Sequence, residues 1–273
     1  QAAGRLPSLV LGVVRDGSVV ESATVNASPG TAYRIGSITK TFTAVLVMAL
    51  RDAGRLSLDD PVGRFLPGTG YAGATIGDLL GHTAGLQSEP AGPWWERSRG
   101  GRFDDLFAAN DGSGAVAGAG EWFHYSNLGY GLLGEVVARS HDRPWWDVVA
   151  ARLLEPLGLE RTSYGPVAPH AQGHSVEHLT GRLVEEPHTD TGAMAAAGQL
   201  WSTLDDLATW SAVLAGQRPE VLPAATAREM AVDRLDSGYG LGLRLVDVAG
   251  TTYVGHTGSM PGFQAGLFVD PAT

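Results

Sequence analysis

Cysteine is absent from the 273 residues. That excludes a disulfide framework, a thiolate nucleophile, and zinc or iron–sulfur sites built on thiolates. Lysine is almost absent: Lys40 stands alone among 19 basic residues. No basic run offsets the 29 acidic residues, and the net charge is -10. Such a chain lacks the electrostatic footprint of a nucleic-acid binder or of an anchor for anionic lipid. Long hydrophobic runs are missing too. The longest, Thr43–Leu50, falls far short of the roughly 20 residues that cross a bilayer. No initiating methionine is present, because the chain opens on Gln1. A mature form or a fragment is therefore expected, with an extracytoplasmic location favoured if a signal peptide has been removed. What the chain does have is 44% hydrophobic and only 18% charged residues. That fills a sizeable core, as one large domain or as two lobes sharing it.

The ends of the chain read as strands and the middle as helices. Ser8–Val14 and Val19–Val25 flank Asp16-Gly17, a hairpin signal. A helix is predicted from Ser37 to Leu50, stopped near Gly54. It is apolar nearly all round, which marks a buried central helix. Further helices are predicted over Ile76–Leu80, Leu128–Ala138, Pro144–Leu154 and Thr203–Leu214, the last capped by Ser202 or Thr203. Tyr239–Val246, Thr251–Gly255 and Gln264–Val269 are predicted strands. The expected architecture is a discontinuous α/β lobe from residues 1–60 and 187–273. A helical lobe of 61–186 is inserted, and a site is expected in the cleft between the two.

Lys40 carries the first chemical signal. Lysine can lose its proton near neutral pH when desolvated, and arginine cannot. Ser37 precedes it by three residues, which places both side chains on one face of a helix start. With 17 serines in 273 residues, that coincidence has a chance of roughly 0.06. A serine hydroxyl becomes a nucleophile when a neighbouring base takes its proton, and a buried amine can be that base. The helix N-terminus adds backbone N–H groups for an oxyanion. Two further triplets extend the pattern. Tyr125-Ser126-Asn127 stands before the Leu128 helix, and His256-Thr257-Gly258 follows the Thr251 strand. Tyrosine can shuttle a proton, and asparagine can hold a substrate amide.

These three motifs resemble those of the serine β-lactamase superfamily. The His-Thr-Gly variant resembles the branch of D-alanyl-D-alanine carboxypeptidases, class C β-lactamases, D-aminopeptidases and β-lactamase-like esterases. Arg34-Ile35-Gly36-Ser37, Asp78–Leu86 and Gly238–Gly242 fit the same pattern, so the resemblance covers nearly the whole chain. It implies a β-lactamase/transpeptidase-like α/β (α+β) fold: an antiparallel sheet flanked by helices, with an inserted all-helical lobe. It implies Ser37 as nucleophile, Lys40 as proton acceptor, Tyr125 as second acid/base and Asn127 as the substrate-positioning amide. The backbone N–H groups of Ser37 and Ser259 would form the oxyanion hole. His256, counted with Ser37, Lys40 and Tyr125 in the catalytic set, and Thr257 would line the opposite wall with Gly258, and Thr257, Ser259 or both would meet a substrate carboxylate. Arg244 resembles an arginine that grips the terminal carboxylate of D-Ala-D-Ala in some carboxypeptidases. On the residues alone it fits equally an edge-strand arginine facing solvent.

The resemblance thus implies a serine hydrolase acting through an acyl-enzyme, with a D-Ala-D-Ala peptide favoured. His256 in place of the family's lysine leans away from a class C β-lactamase. The alternatives are an esterase, then a β-lactamase, a D-aminopeptidase or a peptide cyclase, and outside enzymes a silent sensor or structural relative. The expected partner is a small peptide, ester or β-lactam, with no nucleic acid, cofactor or metal. His170, His174 and His178 are spaced by four but sit among Gly, Ser and Pro with no acidic ligand arranged around them. His82 reads as a structural loop histidine. The family's sheet continues past Gln264–Val269, so the chain is expected to be truncated at Asp270-Pro271-Ala272-Thr273, leaving a bare sheet edge.

Overall fold

The structure, a computed structural model, describes residues 6–271; the last two residues of the expected turn, Ala272-Thr273, lie outside them. Strands β1 (Leu9–Arg15) and β2 (Ser18–Val25) form the expected antiparallel hairpin. Asp16 and Gly17 both have positive φ, 51° and 71°, as the tight turns that match strand twist require. The short strand β3 (Tyr33–Arg34) leads into a 3-10 turn, Gly36–Ile38, and then helix α1 (Thr39–Asp52). The α-helix therefore starts two residues later than the sequence predicts, and Ser37 sits in the tighter turn before it.

Helix α1 is the axis of the core. Thr39 through Met48 are all buried, Lys40 included. Phe42 stacks on Trp210 at 3.8 Å between centroids, and the Trp210 indole N–H donates to Thr41 Oγ1 at 2.8 Å. Helices α2 (Ile76–Gly81), α3 (Phe103–Ala109) and α4 (Asn127–His141) follow. Then come α5 (Trp145–Val149), a π-helical turn over Ala150–Leu154, and α6 (Glu155–Leu157). Helix α4 packs on α1 and α2. Its start is fixed by the Ser126 hydroxyl, which accepts from Gly129 N at 3.1 Å.

The small hairpin β4 (His174–Val176) and β5 (Leu183–Glu185) precedes α7 (Ala195–Gly198), and β6 (Trp201–Ser202) pairs with β3. Helix α8 (Leu204–Leu214) begins where expected, with Thr203 as cap, and α9 (Ala224–Met230) follows. Three strands close the chain: β7 (Arg244–Val248), β8 (Thr251–Met260) and β9 (Phe263–Val269), antiparallel in that order. Two predicted strands differ. Tyr239–Leu243 is irregular rather than extended, because Gly238 and Gly242 adopt φ of 70° and 82°. That bend lets Gly242 press on α1, where a Cβ would sit 2.3 Å from Ala44 Cβ. Strand β8 runs on past Gly255 to Met260, so the His-Thr-Gly triplet lies inside a strand instead of after one.

The outer edge of β9 has no strand partner among the described residues. It faces β1 across a cleft of about 1060 Å³, lined by Leu9, Leu11, Val13, Leu267 and Val269 among others. None of the expected site residues lines this cleft. Phe42→Ala empties the centre of the α1–α8 contact; denaturant titration should show a loss of about 3–5 kcal/mol.

Candidate active site

Four segments meet around Lys40: the turn before α1, the start of α4, the end of α7 and strand β8. Lys40 Nζ lies 3.0 Å from Ser37 Oγ, 2.7 Å from Asn127 Oδ1 and 2.7 Å from the Ala197 carbonyl. The Tyr125 and Tyr130 rings flank it, their centroids 5.0 and 5.5 Å away. Burial pushes the Lys40 pKa from 10.5 down to about 7, and Arg244 adds to this; Glu89 and Glu96 pull the other way. A neutral amine has two N–H donors and one lone pair. The two carbonyl oxygens at 2.7 Å take the donors, which leaves the lone pair for the Ser37 hydroxyl. The three-residue spacing read from the sequence is thus a direct contact.

Tyr125 completes the proton machinery. Desolvation raises its pKa, and the neighbouring Ser37 side chain and Arg244 pull the other way. A tyrosine held in its phenol form keeps a proton to donate, whereas Lys40 can be neutral and accept one near pH 7. Asn127 is 7% exposed; its Oδ1 faces Lys40, and its Nδ2 donates to both Glu89 carboxylate oxygens at 2.8 and 3.0 Å.

Strand β8 closes over the nucleophile. A Cβ on Gly36 would lie 2.6 Å from Ser259 N, and one on Gly258 would lie 1.9 Å from Ile35 O and 3.3 Å from Ser37 N. Both glycines are needed for this approach, and the Ser37 and Ser259 amides are brought to one place by it. Side chains on β8 alternate. Thr257 and Ser259 are exposed, whereas His256 is buried at 1% exposure. The structure thus places His256 behind the strand rather than on the cleft wall, its ring centroid 6.0 Å from that of Tyr125.

A buried relay explains what His256 touches there. Ser126 N donates to His82 Nδ1 at 3.0 Å, so His82 Nε2 carries the proton and donates to Tyr239 Oη at 3.2 Å. Tyr239 then donates to His256 Nε2 at 3.0 Å, and His256 Nδ1 donates to the Thr257 carbonyl. Each histidine is neutral with both nitrogens used. Burial holds the His256 pKa down at about 3 and lowers that of His82 as well. The relay ties the Tyr125 loop to β8 from behind. His82, structural on the sequence reading, is coupled here to Tyr239, and it takes the left-handed backbone conformation, φ 57°, just past the end of α2.

Arg244 opens β7 beside this centre. Its Cζ is 5.7 Å from the Tyr125 ring centroid, and its buried Nε has no hydrogen-bond partner among the described residues. Glu89 is the site neighbour that the motifs did not reveal; Tyr239 lies within the Gly238–Gly242 stretch, whose role there the sequence did not show. The described residues contain no group of three or more His, Asp or Glu side chains placed to hold a metal. No described helix is long and apolar enough to cross a membrane.

A serine activated by a neutral lysine, beside a phenol donor and two converging amides, is the equipment of a serine acyl-transfer enzyme. The comparisons with known proteins agree. A family model described as Beta-lactamase matches residues 1–273, and the chain belongs to that family, whose fold is the β-lactamase/transpeptidase-like fold. It is 30% identical over 306 residues to "Penicillin-binding protein 4" of Amycolatopsis lactamdurans, covering 98% of this chain and 78% of that one. It is 29% identical to "Protein flp" of Staphylococcus aureus (strain COL), of which it spans 45%. The octameric penicillin-binding protein homologue from Pyrococcus abyssi superposes with a TM-score of 0.87 at 27% identity, over 98% of this chain and 68% of that one. A D-stereospecific amidohydrolase from Streptomyces sp. gives 0.84 at 28%, over 99% and 87%. The chain is a serine hydrolase of the β-lactamase fold.

The pKa shifts set the expected pH behaviour. Only neutral Lys40 can accept the Ser37 proton, so kcat/KM on an ester should fall as pH drops through about 7. Stability carries two signatures of the same sign, each a rise with increasing pH. Unfolded Lys40 binds a proton below 10.5 and the folded one only below about 7, so folding should strengthen from pH 7 to 10.5. Unfolded His256 binds a proton below 6.5, which the folded ring refuses down to about 3, so stability should drain away over that range. Denaturation midpoints of wild type and Lys40→Met across pH 4–10 check both; the alkaline gain should vanish in the variant.

Proposed function

We propose that this chain is a penicillin-interacting serine peptidase whose favoured substrate is an acyl-D-alanyl-D-alanine peptide. The observation that supports it is Arg244. A buried guanidinium nitrogen without a partner is costly, and a planar carboxylate satisfies it with paired, charge-assisted bonds. The terminal carboxylate of a D-Ala-D-Ala peptide is such a group, with Thr257 and Ser259 exposed on β8 to meet it as well.

In this reading neutral Lys40 takes the Ser37 proton as Oγ attacks the penultimate carbonyl. The oxyanion is held by the Ser37 and Ser259 amides. The C–N bond breaks as Tyr125 gives its proton to the departing D-alanine amine, and Lys40 returns a proton to Tyr125. Water then adds to the Ser37 ester, again losing its proton to the Lys40–Tyr125 pair, and frees the serine. Asn127 holds the acyl side. His256, buried and neutral, orients the Tyr125 side of the site through Tyr239 rather than moving protons itself.

A second reading is hydrolysis of a D-amino-acid amide or an ester through the same acyl-enzyme. The likeness to a D-stereospecific amidohydrolase favours it, and it makes no use of Arg244. The two are separated by offering acyl-D-Ala-D-Ala beside the acyl-D-Ala amide and a p-nitrophenyl ester. Free D-alanine is expected from the first. Arg244→Leu should raise KM for that substrate about ten- to a hundredfold, the worth of a hydrogen bond to a charged group, and leave the amide nearly unaffected. Turnover of the amide or ester with no D-alanine release would overturn the peptidase reading.

A further inference from the structure

The mechanism leaves Glu89 unused, although its carboxylate touches the centre. Glu89 lies on the loop between α2 and α3, which is zipped to the start of α4. Ser126 Oγ donates to the Gln87 carbonyl at 2.6 Å, Asn127 N to the Ser88 carbonyl at 2.7 Å, and Asn127 Nδ2 to Glu89. The carboxylate is clamped from its other side. Trp95 is 6% exposed, and its indole N–H donates to Glu89 Oε2 at 2.6 Å. Five side chains therefore run in one line: Trp95, Glu89, Asn127, Lys40, Ser37.

We propose that Glu89 is a positioning residue: through the Asn127 carboxamide it dictates which end of that side chain meets Lys40 and which meets the substrate. The reasoning is one of donor and acceptor counts. A carboxylate only accepts, so Nδ2 must face Glu89, and Oδ1 is then the end left to take a Lys40 N–H. Between Glu89 and Lys40 the carboxamide has one permitted orientation, Oδ1 toward the lysine and Nδ2 toward the carboxylate. The two Glu89 oxygens lie in one direction from Nδ2, so a single N–H serves both. The second N–H is left to project toward the acyl carbonyl of a bound substrate. Without Glu89 the amide is free to turn, and the acyl group loses its guide.

The proposal rests on the acyl-enzyme reading, and its test is chosen to separate the two. The sequence holds three asparagines and one lysine, so selective labelling gives three carboxamide signals and one lysine side-chain signal, readable without turnover. In wild type the Asn127 N–H bonded to Glu89 should stand apart from its partner and exchange slowly. In Glu89→Gln, whose carboxamide can present either its oxygen or its NH2 to Asn127, the forced orientation is lost and that asymmetry should collapse.

The pH profile supplies the readout that a merely structural role would not move. The charged and titratable groups around Lys40 are Glu89, Glu96, Arg244, Tyr125, Tyr130, His82 and His256. Removing the Glu89 carboxylate should move the acid limb of ester acylation to lower pH, because Glu89 raises the Lys40 proton affinity, and it should cut the plateau rate about tenfold. Glu96→Gln, which neutralises a carboxylate away from Asn127, should move the limb and keep the plateau within twofold. Trp95→Phe, which loosens the clamp and keeps the charge, should lower the plateau and leave the limb in place. Failure of wild type to acylate would sink the acyl-enzyme reading, while the Asn127 signal would still decide the orientation. An unchanged Asn127 signal in Glu89→Gln, in a protein whose lysine signal still titrates near its wild-type midpoint, would overturn the proposal.

Discussion

The contact between Lys40 and Ser37 is the constraint around which the site is built. An amine buried as deeply as Lys40 is costly to charge, and that cost is what makes it a base near neutral pH. Three polar partners are gathered on it, the Ser37 hydroxyl of its own turn and two carbonyl oxygens from α4 and α7. Two of the three, Asn127 and Ala197, come from segments far away in sequence, so the packing of α1 at the centre of the core decides whether the lysine has them. The apolar character of α1 and the chemistry of Lys40 are therefore one feature: the helix is buried, and its single amine is trapped with it.

Strand β8 supplies the second constraint, and it works through absence of side chains. Gly36 and Gly258 let the strand and the turn touch, and any Cβ there would meet backbone atoms. The relay from Ser126 through His82, Tyr239 and His256 to Thr257 supports the strand from behind. Its neutral histidines suit a site that already contains a partly charged lysine and Arg244, since further positive charge would depress the Lys40 proton affinity again. Glu89 and Glu96 oppose that depression, which leaves the lysine balanced between two sets of charges.

Much of this was legible in the sequence because it is local. Ser37 and Lys40 are three residues apart, Tyr125 and Asn127 two apart, and a solitary lysine in an arginine-rich chain draws the eye to the right helix. The hairpin at Asp16-Gly17 and the Thr203 cap were legible for the same reason. The extent of β8 was not: its second half is specified by pairing with β9 and by contact with the turn at Gly36, which no run of β-branched residues announces. The bend at Tyr239–Leu243 hid among residues that read as a strand, and the two left-handed glycines were its only signal. Glu89 lies 38 residues from Asn127, and Tyr239 lies 157 from His82. Such pairs exist only after folding. The inward face of His256 followed from strand alternation, once the triplet is placed inside a strand.

The central claim is that Ser37, activated by Lys40, becomes covalently acylated. Intact mass after exposure to benzylpenicillin tests it most directly, with Ser37→Ala in parallel. The account predicts a persistent one-to-one adduct on the wild-type chain, mapped to the peptide containing Ser37, and none on the variant. An adduct that persists in Ser37→Ala would contradict it, and so would a folded wild-type protein that neither carries an adduct nor consumes the penicillin.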